Sequence, residues 1–315
     1  MSDMKVIEVS DILGLSQPLT KLVETIARGV GIVYEPTHKK RMAKATAEEI
    51  QIIANECQKN LQFPITYDKG QVSVSTNQQF VELAQRAVLR NLNQEMNKQQ
   101  NIESIVHFAE ENLKQETKVS EEPVSQTWLS NFFEAAGHVE EEDLQKIWGK
   151  LLAGEIKNPN SYSLRTLNIL KNMTTREARI FQKLSAFVVR VGSDCIIPHE
   201  DILLGKYNVE YGNILLLDEC GLVNAQGTLN LTYSSKPGSM LCLYNHKFQA
   251  RLFESAGINM HLYLNIYPLT AVGKELFGIL KQEPVGEFFK DYIALIEKNN
   301  KNISSRIVEN SNNGK

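Results

Sequence analysis

VEYGNILLLDECGLVNAQGTLNLTY, residues 209–233, changes grammar halfway along. Its first half carries a helix pattern over 209–219, and Gly221 stands at the C′ position, where glycine accepts the left-handed backbone that ends a helix. Its second half predicts a strand pair: Leu222-Val223, a turn at Gln226-Gly227, then Leu229 and Leu231 in alternation. Upstream, SLRTLNILKN (163–172) and the segment 175–190 read as two further helices. Thr174 is an N-cap with Glu177 at the capping-box position, and Ile180, Leu184, Phe187 and Val188 form the inward stripe. A short apolar run, Cys195-Ile196-Ile197, follows. Downstream, 239–244 and 262–267 are strand candidates, and in YPLTAVGKEL (267–276) Thr270 caps a helix reaching Leu280. Three helices, a β-wing and a closing helix are the order of a winged helix, although unrelated α+β domains also use it. The expectation is a winged-helix-like α+β domain over 161–283.

The chain before this domain is helical in pattern. Leu19, Leu22, Val23 and Ile26 mark one face of a helix over 18–28. A second helix is predicted over 37–59, and 61–75 reads as a loop or small hairpin. Residues 77–118 are rich in Gln and Asn and carry two sparse stripes. With neither Gly nor Pro at 98–101, they are two antiparallel helices or one long arm. After a polar stretch come helices at 127–136 and 140–156. The resulting layout is a helical N-terminal region (1–118), a linker (119–126), a helical connector (127–160), the winged-helix-like domain (161–283), a helix (284–298) and a disordered Asn/Lys/Ser-rich tail (299–315). The fold class is mainly α with α+β.

Composition excludes several functional classes. The 315 residues include 34 Lys+Arg against 37 Asp+Glu, a formal charge of −3, so binding to nucleic acid or anionic membrane needs a local patch. Four scattered cysteines form no C-x-x-C pair and fit a reducing compartment. The N-terminus has no secretory pattern, and the longest uncharged stretch, 259–273, is too short to span a bilayer. A soluble cytoplasmic protein is expected.

No catalytic or metal motif is present: no G-x-S-x-G, P-loop, H-E-x-x-H or deaminase pattern occurs. Glu155-Ile156-Lys157 with Asp143 has the residue types of a metal-dependent nuclease. On one helix, however, Asp143 and Glu155 are about 18 Å apart by the helical rise, too far to share an ion. The six histidines share no ligand spacing. Neither enzyme activity nor a cofactor is expected.

One local feature runs against helix electrostatics. His38, Lys39, Lys40 and Arg41 occupy the first turn of the predicted helix 37–59, with Lys44 one turn on, where the helix dipole disfavours cations by a few tenths to about one kcal/mol each. The functional reading is an anion or partner site. The bland one is a solvated turn paired with acids such as those of 140–143. The neighbouring helix 18–28 could lie on a membrane, but its mixed polar face favours core packing.

As a DNA reader, the domain has an unsuitable recognition helix. Residues 209–219 hold Glu210, Asp218 and Glu219 with no Lys or Arg, and Ile214-Leu215-Leu216-Leu217 should be largely buried. Arg176, Arg179, Lys183 and Arg190, at i, i+3, i+7 and i+14 of the helix 175–190, are the better candidates for DNA contact. A solvated face is the competing reading.

Three stretches resemble a group of uncharacterised bacterial proteins carrying a domain of unknown function, distantly akin to the abortive-infection alpha proteins of phage resistance. They are GIVYEPTHKKRMAKATAEE (31–49), EEEDLQKIWGKLLAGEI (140–156) and the S-x-R-T-L-x-x-L-K-x-M-T-x-x-E-A run of 163–178. With LTAVGKEL they would cover most of 15–280. The resemblance implies a cytoplasmic bacterial protein with a role near phage defence and no catalytic residues to carry over. The expected function is a non-enzymatic interaction or effector protein. It would bind a protein partner through the basic turn and self-associate through 77–118. A DNA-binding regulator and a membrane-associated effector are the alternatives.

Overall fold

The computed structural model describes residues 16–30, 65–68, 71–74, 78–227, 229–254, 257, 259–280 and 282–309. The chain divides into two compact units, Met1–Glu140 with Ile156–Pro159, and Glu141–Glu155 with Asn160–Lys315. The fold class is α+β. The basic turn at His38, Lys39, Lys40, Arg41 and Lys44, with its predicted helix, lies outside the described residues.

The first unit contains α1 (Gln17–Val30), a hairpin of β1 (Ile65–Asp68) and β2 (Gln71–Val74), α2 (Gln78–Leu113) and α3 (Gln126–Ala136). Residues 61–75 thus hold a hairpin, and 77–118 hold one helix rather than two. Around 98–101, Asn101 Nδ2 donates to the Gly137 carbonyl (2.9 Å), tying the middle of α2 to the end of α3. The core joins Leu22, Val23 and Ile26 of α1 to Ile105, Val106, Ala109 and Leu113 of α2 and to Leu129, Phe132 and Phe133 of α3. The apolar stripe of α1 is therefore spent on packing. Its ends are tied to the linker, where Lys21 Nζ donates to the Glu121 carbonyl and Gln126 Nε2 to that of Arg28. In its first half α2 leaves Val88 and Leu89 exposed.

The second unit holds all but the last two residues of α4 (Glu142–Lys157), then α5 (Leu164–Asn172), α6 (Thr175–Ser185), β3 (Val189–Val191), β4 (Asp194–Pro198), α7 (Asp201–Lys206), α8 (Tyr211–Glu219), β5 (Leu229–Ser235), β6 (Met240–Asn245), β7 (Phe248–Glu254), β8 (Met260–Pro268), α9 (Ala271–Leu280), α10 (Gly286–Asn299) and β9 (Ile303–Glu309). Its sheet has seven strands in the order β5-β8-β4-β3-β6-β7-β9. Every pairing is antiparallel. The helix boundaries follow local chemistry. Ser163 Oγ accepts from the Thr166 amide, and Thr174 with Glu177 forms a complete capping box. After α8, Gly221 (φ 71) lets the Leu222 amide reach the Leu217 carbonyl and its own amide that of Asp218, a Schellman closure. Thr270 then donates its hydroxyl to the Gly221 carbonyl and accepts from the Gly273 amide, starting α9 where α8 stopped.

Three expectations for this unit fail. The strand pair of Leu222-Val223 with Leu229 and Leu231 does not form: Val223 makes an isolated bridge to Leu269, and Leu229 and Leu231 pair with β8. The helix at 175–190 ends at Ser185, because the β-branched Val188, Val189 and Val191 switch the apolar period from helical to alternating, and β3 begins at Val189. The tail 299–315 is not disordered throughout. ISSRIVE pairs along all of β7, from Glu254↔Ile303 to Phe248↔Glu309, and Ile303 is buried. Its β-branched residues supply strand propensity that the polar Asn299-Asn300-Lys301-Asn302 run obscures.

Candidate functional site

Among the described residues, several of the charged groups singled out in the sequence have structural partners. Arg179 on α6 donates through Nη2 and Nε to Asp143 Oδ2, at 2.5 and 3.2 Å. The guanidinium holds the Asp143 carboxyl below its ordinary pKa, by hydrogen bonding first and charge second. Arg190 is not on α6 at all: it lies on β3 with its guanidinium 4.9 Å from the centre of the Tyr244 ring. The four-residue cationic stripe therefore reduces to Arg176 and Lys183 flanking a paired Arg179. Of the nuclease-like set, Lys157 pairs with Glu116 at 2.6 Å.

Glu155 anchors the turn that follows α4. Its side chain is 1% exposed and accepts the amides of Asn160 (2.7 Å) and Tyr162 (3.0 Å). Burial raises its pKa, the amides of Asn160, Tyr162 and Ser161 pull it back, and the charge of Glu275 raises it further. Beside it, burial and the same two carboxylates push the Tyr162 phenol up to about 12. Glu275 Oε2 takes the Ser163 amide and the Thr166 hydroxyl. This is a turn clamp, with every carboxylate already occupied by protein donors. Among the described residues no group of His, Cys, Asp and Glu could hold a metal ion.

A groove of about 460 Å³ runs between α5, the start of α6 and the end of α8, lined by Arg165, Asn168, Asn172, Glu177, Glu219 and Cys220 among others. The surroundings of its thiol disfavour the thiolate. Burial, then the neighbouring Glu177, lifts the Cys220 pKa to about 11. A thiol needs the opposite surroundings to be active near neutrality.

The most distinctive surface belongs to α7 and α8. They meet at a tight turn in which Asn208 (φ 55) allows the Val209 amide to reach the Leu204 carbonyl. Beneath them Tyr207 packs edge-on against Phe288, which also meets Phe187 edge-on and stacks on Tyr292. Burial first, then the neighbouring Asp201 at the start of α7 and Tyr211 at the start of α8, push the buried Tyr267 phenol up to about 12. Ile214 and Leu217 of α8 face the core. On the outside, Ile202 is 95% exposed, Tyr211 54% and Leu215 38%. Tyr211 and Leu215, four apart, share one helix face. Glu200, Asp201, Glu210 and Glu219 stand on the same two helices or at their starts. Lys206, their one cation, is paired with Asp291. The run Ile214-Leu215-Leu216-Leu217, expected to be largely buried, is so at Ile214 and Leu217. Leu215 is instead outward, and Ile202, on a six-residue helix, gave no periodic signal.

Residues 85–293 match the model of a protein family described as "Protein of unknown function (DUF2806)". This chain belongs to that family. The match bears out the resemblance to an uncharacterised domain family and shows no link to abortive-infection proteins. No curated protein and no solved structure matches the chain. The DUF2806 segment takes in α7, α8 and the paired strands β5 and β8. Among the described residues no helix is long and apolar enough to cross a membrane.

Proposed function

We propose that this DUF2806 protein is a non-enzymatic macromolecular interaction protein that docks a protein partner on the outer face of α7 and α8. The observation that carries the reading is the exposure of Ile202, Tyr211 and Leu215 on two helices that also carry Asp201 and Glu219 and begin at Glu200 and Glu210. Apolar side chains ringed by polar groups are the anatomy of protein interfaces, and phosphate neutralisation asks for the opposite charge. The test places a photo-crosslinking amino acid at Tyr211 in cells of the native host. A protease-sensitive, nuclease-resistant adduct lost on Ile202→Asp is the expected result. A nuclease-sensitive adduct, or none, refutes it.

The connectivity of the second unit favours a second reading. Helix α6, strand β4, helices α7 and α8, then β5 and β8, with β8 between β5 and β4, follow the path of a winged helix. On that path the β5–β8 ladder is the wing and β6 and β7 are an insertion in it. A DNA-binding regulator of this kind would use Arg176 and Lys183. Salt titration of DNA affinity separates the two, since a regulator loses log K steeply with log salt. The basic turn at Lys39 and Lys40 remains part of the main proposal, as does self-association through α2, which the exposed Val88 and Leu89 support. A role in phage defence rests on the sequence resemblance alone, and plaque counts with Lys39→Glu/Lys40→Glu test it.

A further inference from the structure

The two edges of the seven-stranded sheet are built differently. At one edge, β9 carries Arg306 and Glu309, both exposed, and Lys247 clamps Glu309 at 2.9 Å. Charges of this kind keep an edge strand from recruiting a neighbour. At the other edge, β5 reads LNLTYSS: seven residues with no charge and no proline. Its ladder with β8 runs without a bulge from Leu229↔Ile266 to Ser235↔Met260. Among the described residues, no strand and no backbone hydrogen-bond partner lies on its outer side. Among the described residues, Leu229–Ser235 itself carries none of the charges, prolines or bulges that usually protect an edge, and Lys236 and Pro237 come only after it.

We infer that β5 pairs with β5 of a second copy of this chain, antiparallel about a two-fold axis at Thr232. Two identical strands laid antiparallel are related by such an axis, which makes the contact self-complementary and closed. The register sets Thr232 against Thr232, Asn230 against Ser234, Leu231 against Tyr233 and Leu229 against Ser235. Every facing pair is uncharged, so symmetry brings no like charges together. The pairs also sort by face. Asn230, Thr232 and Ser234 are exposed; the Asn230 amide and Thr232 hydroxyl can hydrogen-bond across the axis, while Ser234 Oγ lies 3.0 Å from His261 Nδ1 within the same copy. Leu229, Leu231 and Tyr233 are only half-buried in one copy, and a second strand extends the apolar face they begin. A second copy satisfies this edge on both sides at once, whereas a foreign peptide would leave the partner's edge open.

Sedimentation equilibrium up to millimolar concentration tests this, with the full chain. The expected result is a concentration-dependent dimer whose dissociation constant rises about tenfold or more in Thr232→Lys, because each lysine meets its symmetry mate. Asn230→Lys alone weakens the dimer, and Asn230→Lys with Ser234→Glu restores it by placing opposite charges in both symmetric pairs. Unchanged thermal unfolding of each variant separates lost association from lost folding, since these side chains are exposed in the monomer. A monomer at every concentration overturns the inference. So does a dimer indifferent to Thr232→Lys, for instance one abolished by Val88→Lys on α2, or a failure of the charge pair to restore association.

Discussion

Replacing Glu155 gives the sharpest energetic test. The carboxylate accepts three backbone amides, those of Asn160, Ser161 and Tyr162, while being almost wholly buried. Charge-assisted hydrogen bonds contribute roughly 1.5–3 kcal/mol each, and the cost of burying a carboxylate offsets several kcal/mol of their sum. Glu155→Ala strands three amides and opens a small void, so a net loss of about 3 kcal/mol is expected. Glu155→Gln keeps the shape and one acceptor oxygen but points an NH2 at an amide, for a loss of about 1–2 kcal/mol. The pH dependence is more telling than either magnitude. Burial is the largest influence on Glu155 and raises its pKa in the folded state. Its favourable contribution is therefore complete below the unfolded-state pKa and is lost as pH rises through the higher folded value. In urea unfolding followed by tryptophan fluorescence, the stability gap between the parent protein and Glu155→Gln should narrow from pH 4 towards neutrality. A gap that widens over that range would mean the amides outweigh burial, and the reasoning would be wrong.

Other consequences are as specific. A Cβ on Gly273 would lie 2.0 Å from the Leu222 carbonyl oxygen, so Gly273→Ala should cost about 3 kcal/mol despite alanine's better helix propensity. A thermal midpoint equal to that of the parent would contradict the close approach of α9 to the end of α8. Cys220, with its pKa lifted to about 11, should resist alkylation at pH 8, and Glu177→Gln should speed the reaction by removing a neighbouring negative charge. Rapid labelling of the parent at that site, read by peptide mass, would count against the buried setting. Ile303→Asp places a charge at a buried position of β9 and should detach the strand from β7, exposing the 303–309 amides to hydrogen exchange. Unchanged protection there would show that β9 does not depend on Ile303.

Much of the second unit was legible because its helices announce their ends. Ser163, Thr174 and Gly221 act through local chemistry, and local chemistry survives in any tertiary setting. β6 and β8 were legible from alternating apolar residues. Besides β9, three places were not. α6 and β3 share one run of apolar residues, and only the change of period at Val188 divides them. β7, FQARLFE, hides its alternation behind Gln249 and Arg251, because the second of these faces outward and the first hydrogen-bonds Tyr244. The α7 segment DILLGK is shorter than two helical turns. The candidate surface suffered most from this, since Ile202 sits on that short helix. Leu215 belongs to a run of apolar residues whose outward member only three-dimensional packing identifies. Arg179 shows the converse: its spacing advertised a binding stripe, but its partner, Asp143, stands on another helix.

Strands β5 and β8 pair without being sequence neighbours: β6 and β7 are inserted between them and pair elsewhere in the sheet. Local hairpins zip quickly, whereas contacts distant along the chain wait for the intervening segment to organise. Newly made chains should thus close β3 on β4 and β6 on β7 before β8 captures β5. During that interval β5 is a neutral, unpaired strand with two open sides. Crowding of nascent chains then becomes the moment of greatest hazard for this protein, and slowing translation just beyond β8 should raise its soluble yield.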